Sequence, residues 1–155
     1  MPTTKARTHV GPFGGFGGEY YDAEHGDGEY RVQHLVAGGR SYEGFDVLNG
    51  FQFFWDDGYK SGVVGHIQPG TEEYYDFKEN EKITSMTIYA GDNEGFVNGF
   101  EFKTNMDGKF EVGGKEGLAT RLTDLGTGDL VGAEGRDPIH GAAEVVDSMK
   151  IYFRA

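Results

Sequence analysis

The chain has no cysteine, four prolines and a single tryptophan in 155 residues. Without cysteine there are no disulfides, no thiolate catalysis and no cysteine-ligated zinc, and the composition fits a reducing compartment. No apolar run approaches the roughly 18 residues that a membrane-spanning helix needs. Basic clusters are missing as well: 14 Lys and Arg stand against 26 Asp and Glu, a formal charge of −12. Such a surface repels phosphate and anionic headgroups, which argues against nucleic acid and anionic membranes as partners. The opening MPTTKARTHV has no apolar segment of the signal-peptide kind, so a cytoplasmic location or export by another route is expected.

Glycine is abundant, at 27 residues of 155, more than twice the usual ~7%. Each interior glycine costs a helix roughly 1 kcal/mol relative to alanine, so this load argues against helices. The few prolines and the lack of a Gly-X-Y period exclude collagen. Twelve Phe and nine Tyr argue against disorder and supply a core. The length fits one domain that buries roughly two thirds of its unfolded surface.

Period-2 alternation runs through the chain and predicts strands. Phe51, Phe53 and Trp55 share one face; Phe96, Phe100 and Phe102 share another, opposite Glu101 and Lys103. Met149, Ile151 and Phe153 alternate with Lys150, Tyr152 and Arg154, and Tyr30, Val32 and Val36 with Arg31 and Gln33. Residues 83–89, rich in Ile, Thr and Tyr, read as a further strand. Gly38-Gly39, Asp56-Asp57-Gly58, Asp92-Asn93-Glu94-Gly95, Asp107-Gly108 and Gly113-Gly114 punctuate these runs as turns, with Asp107-Gly108 the strongest hairpin signal. Leu118, Leu122 and Leu125 carry helical spacing, but the stretch is short and Gly-flanked and is assigned strand or loop. The expectation is a single all-β domain of ten to twelve strands, a sandwich, barrel or prism, spanning 10–155 behind a loose arm over 1–9. No strict internal repeat is evident, although the Gly-rich turns recur.

The chemical motifs are weak. His9, His25, His34, His66 and His140 have no metal-ligand spacing, and no GxSxG elbow accompanies the few serines. The segment from Asp22 to Glu29 superficially suggests a calcium loop, but Gly26 takes the third ligand position and Asp27 the obligatory glycine position. GPFGGFGG at 11–18 lacks the GK[ST] ending of a phosphate loop. Its glycines allow positive φ or close approach of backbone to a neighbour or ligand. The many carboxylates alone do not define the facing pair that glycoside hydrolysis requires.

Three segments in order resemble the jacalin-related lectins: GPFGGFGGEYYD at 11–22, FKENEKITSMTIYAGDNEGFVNGFEFKTNMDGKF at 77–110 and LVGAEGRDPIHGAAEVVDSMKIYF at 130–153. The resemblance implies a β-prism of three four-stranded antiparallel sheets and carbohydrate binding without catalysis, with no cofactor or metal. Carried over by position, it implies a sugar site at Gly18 and Asp147. Glu144 and Val145 are its backbone donors, and an apolar cover comes from Tyr89 or the loop from Asp92 to Phe96. An ionised carboxylate accepts two sugar hydroxyls through charge-assisted bonds, and the glycine amide can be approached because no Cβ intervenes.

Two departures stand out. Ala143 replaces the glycine four positions before the aspartate, and the loop from Arg136 to Asp147 is longer, with Pro138 and Gly141. At a second position used by some mannose-binding relatives, Asn49 stands in the aspartate place, Phe45 in the glycine place and GHIQPG at 65–70 replaces the Gly-Gly pair. The expectation is one conventional site per chain. Mannose- or glucose-class glycans are favoured over galactose, because galactose-specific relatives tend to be cleaved just before the opening glycine. A shallow single site implies weak affinity and hence a homo-oligomer or a multivalent target. The alternative is an interaction or targeting module of the same fold that has lost sugar binding and recognises a protein.

Overall fold

Alternation of apolar and polar residues gives twelve strands, numbered in chain order, and the computed structural model describes residues 7–15, 19–26, 28–42, 44–91, 96–137 and 146–155. The strands form three four-stranded sheets, all antiparallel. The first sheet runs β1 (Arg7–Gly14), β12 (Ser148–Arg154), β11 (Leu130–Asp137), β2 (Glu19–Glu24). The second runs β5 (Val64–Gly65), β4 (Phe45–Trp55), β3 (Val32–Tyr42), β6 (Glu72–Asp76). The third runs β10 (Leu118–Leu122), β7 (Ile83–Ala90), β8 (Val97–Thr104), β9 (Lys109–Gly113). No helix occurs among the described residues. This is the β-prism that the resemblance implies.

Each sheet turns its apolar face inward onto one shared core. Phe51, Phe53 and Trp55 of β4, Phe100 and Phe102 of β8, and Met149, Ile151 and Phe153 of β12 are all buried. Their polar alternates, such as Glu101, Lys103 and Lys150, lie on the outer faces. The burial is the main driving force for closing three sheets that could not each bury a face alone.

The three central strands are related by a repeat that the sequence hides. Leu48-Asn49-Gly50-Phe51, Val97-Asn98-Gly99-Phe100 and Val146-Asp147-Ser148-Met149 are spaced 49 residues apart, and the spacing continues through Phe53, Phe102 and Ile151. No position is identical in all three copies, so the repeat exists in hydropathy and register alone. At one end of the prism the copies converge. The Val97 N–H donates to the Val146 carbonyl at 2.8 Å, and the Val146 N–H to the Leu48 carbonyl at 3.2 Å. All three side chains are fully buried there.

One boundary differs from expectation. Strand β1 begins at Arg7, within the segment read as an arm, because Arg7, Thr8 and His9 pair with Arg154, Phe153 and Tyr152. Free backbone groups beside the β12 edge are satisfied this way. The stretch assigned strand or loop is a strand over Leu118–Leu122, paired along Ala90 to Met86. The Asp107-Gly108 turn does join β8 to β9. Asp107 takes φ 61°, and the Thr104 hydroxyl accepts the N–H groups of Met106 and Gly108 at 3.2 and 3.0 Å.

Candidate functional site

The end at which β4, β8 and β12 converge also gathers the opening glycines and the residue before the last strand. Asp147 sits there with its backbone held from two sides. Its N–H donates to the Arg136 carbonyl at 2.9 Å, and its own carbonyl accepts the Gly15 N–H at 2.8 Å. Gly14 makes the approach possible. It has φ +106°, and a Cβ added to it would overlap the Asp147 carbonyl oxygen. The close approach expected of these glycines is therefore real at Gly14, and its neighbour is the aspartate that the resemblance selects.

The same device recurs at the other two sheets. Gly65 (φ +69°) precedes His66, whose N–H donates to the Asn49 carbonyl at 3.1 Å. Gly113 (φ +78°) precedes Gly114, whose N–H donates to the Asn98 carbonyl at 2.8 Å. The three positions differ in their side chains. Asn49 is 0% exposed and Asn98 7%, both as neutral amides, whereas Asp147 is half-buried. The Asn49 amide has no partner for either polar atom among the described residues, so it is sealed in rather than offered to a ligand.

Of the other residues expected at the site, Gly18, Asp92, Glu144 and Val145 lie outside the described residues, as do Pro138, Gly141 and Ala143 of the long loop. Tyr89 is described. It lies one position from the end of β7, opposite Gly99 and Ala119. Its hydroxyl donates to Glu101 at 2.6 Å, and Glu101 pairs farther down the sheet, beside Thr87. The ring thus leans along the outer face of the sheet, toward Glu101. The bond to Glu101 raises the Tyr89 hydroxyl above the ordinary tyrosine range.

Sequence reasoning missed the surface beside Asp147. A cleft of about 200 Å³ opens on the outer face of the first sheet, lined by Pro12, Gly14, Gly15, Tyr20, Glu134, Gly135, Arg136, Ser148 and Lys150. Glu134 organises its floor. It accepts the hydroxyls of Tyr20 and of Tyr152, the latter at 2.6 Å, and Lys150 Nζ lies 3.4 Å away. Burial pushes Glu134 up, but the bonds from Tyr152, Tyr20 and Lys150 outweigh it and hold the carboxyl below its usual value. Asp22 is raised, by burial and then by the nearby Glu134 charge. The only signal in the sequence was the alternation that places Tyr20, Asp22, Glu134 and Lys150 on one polar face.

Both tyrosines are pushed up to about 12, Tyr20 chiefly by its bond to Glu134 and Tyr152 chiefly by burial and then by Glu134. A raised acid contributes stability that is complete below its unfolded value, about 10 for tyrosine, and lost as pH rises through the folded one. Alkaline unfolding is therefore expected to be felt between pH 10 and about 12. Spectrophotometric titration of tyrosinate checks this. Glu134→Gln should return part of the late-titrating absorbance toward pH 10, and an unchanged curve would contradict the network.

Residues 10–152 match the family model described as Jacalin-like lectin domain. The chain belongs to this family. Solved structures agree on the fold. The lamprey immune protein superposes with a TM-score of 0.77 at 20% identity, covering 98% of this chain and 45% of the lamprey chain. This jacalin-like chain thus spans less than half of that protein. A mannose-binding lectin from champedak gives a TM-score of 0.74 at 20% identity over 99% of both chains. A mannose-binding jacalin-related lectin from Ananas comosus gives 0.74 at 21% identity, over 96% of this chain and 99% of its own. No curated protein matches the chain significantly.

Proposed function

We propose that this jacalin-like chain is a non-catalytic lectin with one carbohydrate site, centred on Asp147 and the opening glycine loop, and selective for mannose- or glucose-class glycans. One observation carries the reading. Three equivalent positions share one backbone device, yet only Asp147 combines a charge with partial exposure, while Asn49 and Asn98 are buried amides. The Asp147 main chain is held by its bonds to Gly15 and Arg136, so its carboxylate accepts hydroxyl pairs without the backbone first being ordered, which reduces the entropic cost of binding. Gly18, Glu144 and Val145 are the proposed backbone donors, and Asp92 the proposed rim. Mannose binding by the champedak and Ananas lectins supports the sugar class.

A panel of immobilised glycans with calorimetric titration of methyl α-mannoside, α-glucoside and α-galactoside tests it. Asp147→Ala is expected to weaken binding by about 50-fold or more, the loss of a pair of charge-assisted bonds. Asp147→Asn should retain part of it, and circular dichroism should be unchanged. A blank panel, or an Asp147→Ala variant that binds like wild type, would overturn the reading. Monosaccharide dissociation constants near the millimolar scale, about −4 kcal/mol, would call for linked sites. A homo-oligomer is therefore proposed, to be checked by light scattering.

A further inference from the structure

We propose that the buried Tyr21 hydroxyl is a positioning group for the sugar site: it anchors the exit of the opening glycine loop on Ser148, the residue that follows Asp147. The role rests on the carbohydrate reading above and adds a residue to it. Strand order sets the problem that this hydroxyl solves. In the first sheet β11 lies between β2 and β12, so no ladder bond can join those two strands. The Tyr21 hydroxyl spans the gap and donates to the Ser148 carbonyl at 2.8 Å. It passes Gly135, which pairs with Tyr21 on one side and Met149 on the other. A Cβ there would lie 3.0 Å from the Tyr21 hydroxyl oxygen and 2.2 Å from the Ser148 carbonyl oxygen, so the path is open only because residue 135 is glycine.

Ser148 thereby becomes a shared anchor. Gly14, where the opening loop leaves β1, pairs with it directly. Tyr21, three residues after Gly18, reaches it from β2. The Ser148 Oγ accepts the Arg136 N–H at 3.0 Å, and the Arg136 carbonyl accepts the Asp147 N–H at 2.9 Å. The glycine loop and Asp147 are the two halves of the proposed site, and both are fixed to this one residue. Packing does not call for the hydroxyl. Tyr21 is 8% exposed, and its ring meets Phe51 edge-on with centroids 5.8 Å apart. Phenylalanine would bury the same ring with no polar atom to satisfy. What the oxygen adds is geometry, and groups held in place before the ligand arrives lose less freedom when it binds.

The test is Tyr21→Phe in the full chain, titrated with methyl α-mannoside and followed by NMR. The dissociation constant is expected to rise about tenfold, with a fall in Tm of about 3–6 °C. Amide exchange at Asp147 and Gly15 should quicken by about tenfold, while Ile151, farther along β12, keeps its wild-type rate. Tyr75→Phe is the control. It removes a hydroxyl bonded to Glu81 beside Thr104, toward the other end of the prism. It should lower Tm by a similar amount and leave the affinity within twofold of wild type. If wild type binds methyl α-mannoside and Tyr21→Phe binds it within twofold as well, the positioning role is refuted and the Asp147 site stands. If wild type binds no glycan, the carbohydrate reading falls and this role falls with it.

Discussion

Gly14→Ala is expected to lower stability by about 3 kcal/mol, a drop in Tm of about 6–12 °C for a domain of this size. Two costs combine. The backbone at φ +106° is one that L side chains rarely adopt, worth on the order of 1–3 kcal/mol of strain. The new Cβ would also overlap the Asp147 carbonyl oxygen, so the Gly15 N–H bond to that oxygen must break or β1 must separate from β12. Gly58→Ala supplies the control. It has φ +93° but open space around it, so only the strain applies, about 1 kcal/mol. Thermal unfolding followed by circular dichroism measures both. A Gly14→Ala variant that melts within 2 °C of Gly58→Ala would show that the steric contact is not decisive. Because the displaced backbone belongs to Asp147, the same variant should also bind sugar more weakly, whereas Gly58→Ala should not.

Much of the fold was legible in the chain, for a simple reason. A strand that buries one face must alternate, and Phe51, Phe53, Trp55 or Met149, Ile151, Phe153 leave no other reading. Closure into a prism rather than a sandwich was not legible from alternation, since both architectures bury one face per strand. The 49-residue repeat escaped notice because what it conserves is register at the converging end, where Leu48, Val97 and Val146 meet. That requirement fixes hydropathy and backbone geometry but not identity. At the site, Asp147 came from the family resemblance alone, whereas the opening glycines signal close approach of backbone by themselves. The organisation around Glu134 was not legible, because Glu134 on β11 and its partners Tyr20 on β2 and Lys150 and Tyr152 on β12 meet across strands whose register only the fold sets. Tyr89 lies near the end of β7, where the alternation puts it, and a carboxylate two residues farther along β8 holds its hydroxyl.

Trp55→Ala is expected to be the most costly single substitution, about 4 kcal/mol and a fall in Tm of about 8–16 °C. Trp55 is 1% exposed and makes two kinds of contact at once. Its ring packs at the edge of Phe53, with centroids 6.0 Å apart, and beneath a layer in which His25 stacks on Tyr30 and Tyr59 at 4.5 and 4.2 Å. Its indole N–H donates to the Val131 carbonyl at 3.0 Å, which ties the second sheet to the first. Alanine would remove the packed volume and leave a buried carbonyl unpaired, a loss of about 1–3 kcal/mol for that group alone. Trp55→Phe keeps most of the volume but not the donor, so it should cost about half as much. Urea unfolding followed by circular dichroism would rank the two. Trp55 and Leu48 are seven residues apart on β4, about 23 Å along the strand, which places the tryptophan at the far end of the prism from Asp147. The fraction of Trp55→Ala that remains folded should therefore bind sugar within about twofold of wild type. A larger change would mean that the two ends of the prism are coupled through the core, and that the Asp147 backbone is held by the packing of β4 as well as by its own hydrogen bonds.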